Sequence, residues 1–209
     1  MKLNEIIGKT KIPTVNELLA SIKNGRFTKD GSKLKVVGDF SCPNNKLTSL
    51  DGGPSSVSES LFVSHNALTS LKGSPSFIGR NLSCNDNKLT SLEGAPSSVG
   101  GSLFCNNNEL TSIEGAPSQI GGYFYCRNNK LTSLSNIHKY IKEVNGYINF
   151  EDNPIKSSVL GLVKINGLTN VMFDDKKLEK IMNKYLPLGD IFDCQEELIE
   201  AGLEAFAEL

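Results

Sequence analysis

Apolar and polar residues alternate in short stretches that return at a fixed interval along the chain. Leu61 and Val63, Leu82 and Cys84, and Leu103 and Cys105 each enclose one residue of another kind. This period of two predicts a strand with one face buried. The interval between stretches is about 21 residues, and such a repeat governs the fold before any local element does. The clearest copies begin at Leu61 (LFVSHNALTSLKGSPSFIGRN), Leu82 (LSCNDNKLTSLEGAPSSVGGS) and Leu103 (LFCNNNELTSIEGAPSQIGGY), and Phe40 opens an earlier one. Phe124 opens a fifth, in which the Gly-x-Pro half is replaced. Ile148, Phe150, Asn153 and Ile155 make a degenerate sixth, and Val171, Phe173 and Leu178 echo a last half-repeat.

Within each copy the polar residues define how the chain turns. Asn45, Asn66, Asn87, Asn108, Asn129 and Asn153 fall where the chain leaves the strand, and their amides can satisfy backbone groups otherwise buried unpaired. They are expected to form a ladder. Beyond the turn, Leu89 and Leu92 point inward, Gly94 permits a bend, Pro96 favours an extended polyproline-like path and Val99 closes the core. Gly79, Gly100, Gly101, Gly121 and Gly122 supply the return to the next strand. The outer side is therefore expected to be non-helical.

The ends read differently. Thr14 to Ile22 predicts a helix with Thr14 and Glu17 as a capping box, and Lys33 to Val37 predicts a strand after a turn at Asp30-Gly31. Toward the other end, a helix is expected around Asp175 to Leu186, with Leu178, Ile181, Met182 and Tyr185 on one side. A second helix is expected from about Asp193, capped by Asp193 with Glu196 and facing the stack with Leu198, Ile199, Leu203 and Phe206. The chain divides accordingly into a helix-and-strand cap over 1–38, repeats over 39–159 and a helical cap over 160–209.

The recurring pattern LxCxxNxL resembles the leucine-rich-repeat consensus from roughly Phe40 to Ile155, with Cys in the second apolar slot. The resemblance implies an α/β leucine-rich-repeat solenoid: a parallel strand stack with a non-helical convex side and helical caps at both ends. The phrase CNNNELTSIEGAPSQIGGYFYCRNN further resembles short-repeat proteins of large tailed bacteriophages, which implies a phage-encoded protein acting in the host cytoplasm. Short-repeat effectors of pathogenic bacteria are similar in style, but the Leu-Pro pairs that follow their Asn-x-Leu are missing here.

Charge and composition narrow the function classes. The net charge is -1 and the sequence pI is near 6.2, which argues against the phosphate-neutralising surface of a nucleic-acid binder. Residues 1 to 38 carry eight Lys or Arg against three acids, and residues 174 to 209 carry four against ten. Oppositely charged ends suit head-to-tail association, or are simply two solvated ends on a monomer, which is the favoured state. Met1 to Ile12 lacks the apolar stretch of a secretory signal, and no segment has the length of apolar sequence that spans a bilayer. Five cysteines without a CxxC do not form a secreted disulfide framework, so a cytoplasmic, reducing location is expected.

Candidate chemistry is sparse. Cys42, Cys84, Cys105 and Cys126 share the slot filled elsewhere by Val63 and Phe150, so they read as small buried hydrophobes. Parallel side chains in single file do not wrap a tetrahedron around zinc. Cys194 lies in the first turn of a predicted helix, a position that favours a thiolate, but acidic neighbours oppose that and no histidine is near in sequence. His65 and His138 stand far apart with no partner for acid-base work, and no phosphate-binding loop occurs. Neither a catalytic residue nor a cofactor or metal is expected.

Binding is a different matter. Between the inward residues stand Ser41, Phe62, Ser83, Phe104, Tyr125 and Asn149, a column expected on the concave side. Phe62, Phe104 and Tyr125, with Arg127, Asn85, Asn106, His65 and Asp86 beside them, form the candidate partner-binding set. The aromatics can also be explained as cross-strand packing pairs. The expected function is a non-catalytic module that docks a host protein and inhibits or redirects it. The alternatives are a structural or assembly protein that self-associates or decorates a virion, and a small transferase using Cys194.

Overall fold

The computed structural model describes residues 27–30 and 33–208. The helix expected over Thr14 to Ile22, and Gly31 of the expected turn, lie outside the described residues. The rest of the chain winds into a parallel β-solenoid of about seven turns.

Each turn contributes two short strands, so the stack has two ribbons. The expected strands at the repeat starts build one of them: β3 (Phe40–Ser41), β5 (Leu61–Phe62), β7 (Leu82–Ser83), β9 (Leu103–Phe104) and β11 (Phe124–Tyr125). They pair in parallel with Phe40, Leu61, Leu82, Leu103 and Phe124 in register. These residues are all buried, as are Cys42, Val63, Cys84, Cys105 and Cys126 one pleat further on.

The return side is non-helical as expected, and it holds a second ribbon that the sequence did not predict. It opens with an antiparallel pair, β1 (Phe27–Asp30) and β2 (Lys33–Val36). Then follow β4 (Ser56–Val57), β6 (Phe77–Ile78), β8 (Ser98–Val99) and β10 (Gln119–Ile120), all parallel. Val57, Ile78, Val99 and Ile120 are its buried column. The close approach of successive turns decides the residue that comes next: a Cβ on Gly100 would lie 2.1 Å from the Gly79 carbonyl oxygen, so nothing larger than glycine fits.

The two ribbons join at the sixth turn, where β12 (Glu143–Asn149) runs unbroken through the corner. Its first half pairs with β10 and its second half with β11. A complete seventh turn follows, not the half-repeat expected, because β13 (Asn166–Met172) pairs with β12 along both halves with a shift around Gly146.

Helices enter from the fifth turn onward. A short helix, α1 (Ile137–Tyr140), replaces the Gly-x-Pro return of the fifth turn, and a 3-10 turn spans Leu160–Lys164. Helix α2 (Lys176–Tyr185) is capped by Asp175, which accepts from the backbone N–H of Lys177 and Leu178, and buries Leu178, Ile181, Met182 and Tyr185 as the pattern predicted. Helix α3 (Ile191–Glu200) begins earlier than expected: its cap is Asp190, which accepts from the Asp193 N–H, so Asp193 lies inside the helix. Leu198 and Cys194 are buried in α3, whereas Ile199, expected to face the stack, is 49% exposed. Two side chains of α2 stand in for an eighth strand. Asn183 donates to the Val171 carbonyl and accepts from its N–H, and Glu179 accepts from the Phe173 N–H. The edge of the first ribbon is thereby closed by side chains.

Candidate partner-binding face

Three columns of polar side chains hold the turns together and set the geometry of the outer face. The innermost is the asparagine ladder. Asn108 Oδ1 accepts the N–H of Leu89 from the preceding turn, and its Nδ2 donates to the carbonyls of Cys84, Cys105 and Asn106. Asn66, Asn87, Asn129 and Asn153 repeat this arrangement. Asn45, at the first described rung, keeps a bond from Nδ2 to the Pro43 carbonyl, and its buried Oδ1 has no partner among the described residues.

The second column lies at the corner between the ribbons and was not foreseen from the sequence. Asp39 accepts the Ser60 N–H, Ser60 the Asn81 N–H, Asn81 the Ser102 N–H and Ser102 the Tyr123 N–H. The residue types vary along this column, and only their short acceptor side chains are common, which leaves no single letter to recognise.

The third column contains two of the candidate binding residues and gives them a structural duty. Asn44, His65, Asp86, Asn107, Asn128 and Asp152 all have φ between 53° and 60°. Among non-glycine residues, Asn and Asp tolerate this left-handed backbone best. Their side chains also bond along the stack, Asn107 Nδ2 to Asp86 Oδ1 and Asn128 Nδ2 to Asn107 Oδ1, both at 2.9 Å. His65 Nε2 lies 3.6 Å from Asp86. Asn85 and Asn106 are similarly engaged: their Oδ1 atoms accept the N–H of Asn106 and Arg127 at 2.8 and 2.9 Å. Arg127 itself pairs with Asp152 through Nε.

Upon this polar frame stand the aromatics. Phe62, Phe104 and Tyr125 are half-buried on the outer face of the first ribbon, that of β3, β5, β7, β9 and β11. Phe104 stacks on Tyr125 with centroids 4.8 Å apart and planes 8° from parallel, while Ser83 on β7 separates it from Phe62. Two further tyrosines complete the cluster, and the sequence reading did not include them. Tyr123 lies edge-on to Tyr125 at 6.1 Å and stacks on Tyr147 at 4.5 Å. Tyr147 donates from its hydroxyl to that of Tyr125, a bond that pushes the Tyr147 phenol up to about 12. Both residues break the repeat: Tyr123 occupies the corner column of Ser60 and Ser102, and Tyr147 sits where β12 crosses the corner. Departure from the repeat was the available signal.

Of the remaining reactive groups, four cysteines are shifted away from the thiolate. Burial pushes the thiols of Cys42 and Cys84 up to about 12, and that of Cys105 well above its ordinary value. Cys84 and Cys105 donate their S–H to the carbonyls of Phe104 and Tyr125. Burial also raises Cys194 to about 11, with Glu197 and Asp190 adding to the effect. A thiol so placed is the opposite of an activated nucleophile. His138 is lowered, chiefly by desolvation and then by Lys164, Lys139 and Lys142. No helix among the described residues is long and apolar enough to cross a membrane. A scan against protein-family models finds no match to this chain, and a search of curated proteins likewise returns none.

Proposed function

We propose that this chain is a non-catalytic, leucine-rich-repeat-type binding module, phage-encoded, that docks a host protein on the outer face of the first ribbon and inhibits or redirects it in the host cytoplasm. The observation that carries this reading is the line of half-buried aromatics, Phe62, Phe104 and Tyr125, on a face otherwise made of short polar side chains. Aromatic anchors on a rigid polar surface have the composition of binding hot spots. The hydrogen-bonded columns beneath them support the reading in another way, since a pre-organised surface loses little side-chain freedom on association. In this scheme helices α2 and α3 serve as the C-terminal cap of the array. The test is capture of a partner by the purified chain and by a variant with Phe62, Phe104 and Tyr125 changed together to Ala. Loss of capture with an unchanged circular dichroism spectrum supports the site, and persistent capture removes it.

A second reading, self-association or assembly, is favoured by a separate observation. Leu188 and Phe192 are 66% and 82% exposed at the acidic end of the chain. Light scattering across a salt series separates the two: salt-sensitive oligomers at micromolar concentration favour assembly, and a strict monomer favours docking.

A further inference from the structure

The outer column of the first ribbon has a rhythm that specifies more than an apolar surface. Ser41, Phe62, Ser83 and Phe104 follow one another on adjacent rungs, in register. The serine rungs are therefore slots, and the phenylalanines are walls. Phe104 has one ring face taken by Tyr125, so its other face looks down the ladder toward Ser83. Phe62 stands on the opposite side of that slot, and no ring among the described residues stacks on it. Rungs of a sheet are about 4.8 Å apart, so the two walls stand about 9.6 Å from each other. One saturated or aromatic ring inserted over Ser83 would lie about 4.8 Å from both, inside the usual range for ring contacts. The floor is polar: Ser83 Oγ bonds to Ser64 Oγ at 2.8 Å and receives a longer bond from Asn85 Nδ2.

The second serine slot, at Ser41, lies two rungs away. An occupant with rings in both slots must therefore repeat on one face every 9.6 Å or so. A strand repeats on one face at about 6.8 Å and an α-helix at about 5.4 Å. A polyproline helix, with three residues per turn and about 3.1 Å per residue, repeats at about 9.3 Å and carries its prolines on that face. Its backbone carbonyls are all free, and the Asn106 amide N–H groups beside the column have no acceptor among the described residues. Charge adds a direction. Asp39 precedes the Ser41 slot as Tyr123 precedes Tyr125, on the same side of the ribbon. One Asp39 oxygen accepts the Ser60 N–H, while the other is exposed with no partner among the described residues.

We infer that the docking face takes a proline-rich segment in the polyproline conformation, with prolines three residues apart in the Ser41 and Ser83 slots and a Lys or Arg against Asp39. This rests on the proposed function as a docking module and specifies the partner's chemistry.

The test uses the full chain and synthetic probes: decaproline with a single arginine at one end or the other, a glycine-serine decapeptide, and maltohexaose. Calorimetric titration is expected to show binding of an arginine-bearing decaproline and none of the glycine-serine peptide. Ser83→Phe fills the slot with a ring that suits its phenylalanine neighbours, and is expected to weaken decaproline at least tenfold without lowering the melting temperature. Phe62→Ala removes a wall and should weaken it similarly. Ser98→Phe, on the other ribbon, should leave it unchanged. Asp39→Asn keeps the acceptor for Ser60 and should abolish the preference for the arginine-bearing peptide. Failure of decaproline to bind, binding indifferent to Ser83→Phe and Phe62→Ala, or displacement of decaproline by maltohexaose overturns the inference. If decaproline fails while the triple alanine variant still loses its protein partner, the polyproline assignment falls and the docking site stands. If capture survives the triple variant, the docking site falls as well.

Discussion

The carboxamide oxygen of Asn108 lies 3.1 Å from the backbone nitrogen of Leu89, one turn earlier in the solenoid. Together with its three donated bonds, this contact makes Asn108 the equivalent of a piece of backbone supplied by a side chain. Removal of the amide leaves the Leu89 N–H and the carbonyls of Cys84 and Cys105 without it in a buried site, at a cost of roughly 1 to 3 kcal/mol for each group orphaned. Asn108→Leu is therefore expected to lower the urea midpoint markedly, even though leucine is the more apolar residue. An unchanged midpoint would show that the ladder contributes nothing net.

The left-handed column predicts a different order of tolerance. At Asn107, with φ of 55°, a β-branched residue is strained, at about 1 to 2 kcal/mol, and glycine is not. Asn107→Val should destabilise the protein more than Asn107→Gly, despite the greater flexibility that glycine gives the unfolded chain. Thermal unfolding of both variants measures this directly, and the reverse order contradicts it.

How far the chain announces this structure depends on the element. Leu82 and Cys84 enclose one outward residue in a strand, so the first ribbon to be recognised was the one with two buried positions per turn. Ser98–Val99 offers only one buried residue, next to glycines and proline, and nothing in a pattern of one distinguishes a strand from an extended loop. The second ribbon exists because its neighbours in the stack are strands, which is tertiary information. The same is true of Asn166–Met172, whose partner β12 is the irregular turn. At the candidate site, Phe62, Phe104 and Tyr125 were legible as outward positions, whereas Tyr123 and Tyr147 were hidden by falling where the repeat fails. His65 and Asp86 were legible as exposed polar residues, but their shared φ was not, and that φ accounts for the residue types without any partner.

The buried thiols make stability depend on alkaline pH. Cys42 and Cys84 titrate near 9.0 when unperturbed and are pushed up to about 12 by burial. The folded chain therefore holds these protons more tightly than the unfolded chain. Their contribution is fully present below about pH 9 and is lost as pH rises through about 12. Cys84→Val and Cys105→Val together should flatten part of that alkaline loss. A thiol-specific reagent at pH 8 should label Cys84 and Cys105 only as fast as the chain unfolds, and prompt labelling of the folded protein would contradict their enclosure.

The closed edge at Val171 gives a local prediction. Asn183→Leu removes both the donor and the acceptor that serve Val171. Hydrogen exchange is expected to accelerate at the Val171 amide and its neighbours in β13, with little change at Leu103 in the middle of the stack. Uniform acceleration throughout would mean that the helix contributes to global stability and not to sealing this edge.

The central claim is that the outer face of the first ribbon, and not the return ribbon, meets the partner. A photo-crosslinking amino acid placed at Ser83 or at Ser98 tests it most directly, since the two positions lie on different ribbons of the same rigid stack. Irradiation in an extract containing the partner is expected to give a discrete adduct from position 83 and none from position 98. An adduct from position 98 alone would contradict the account.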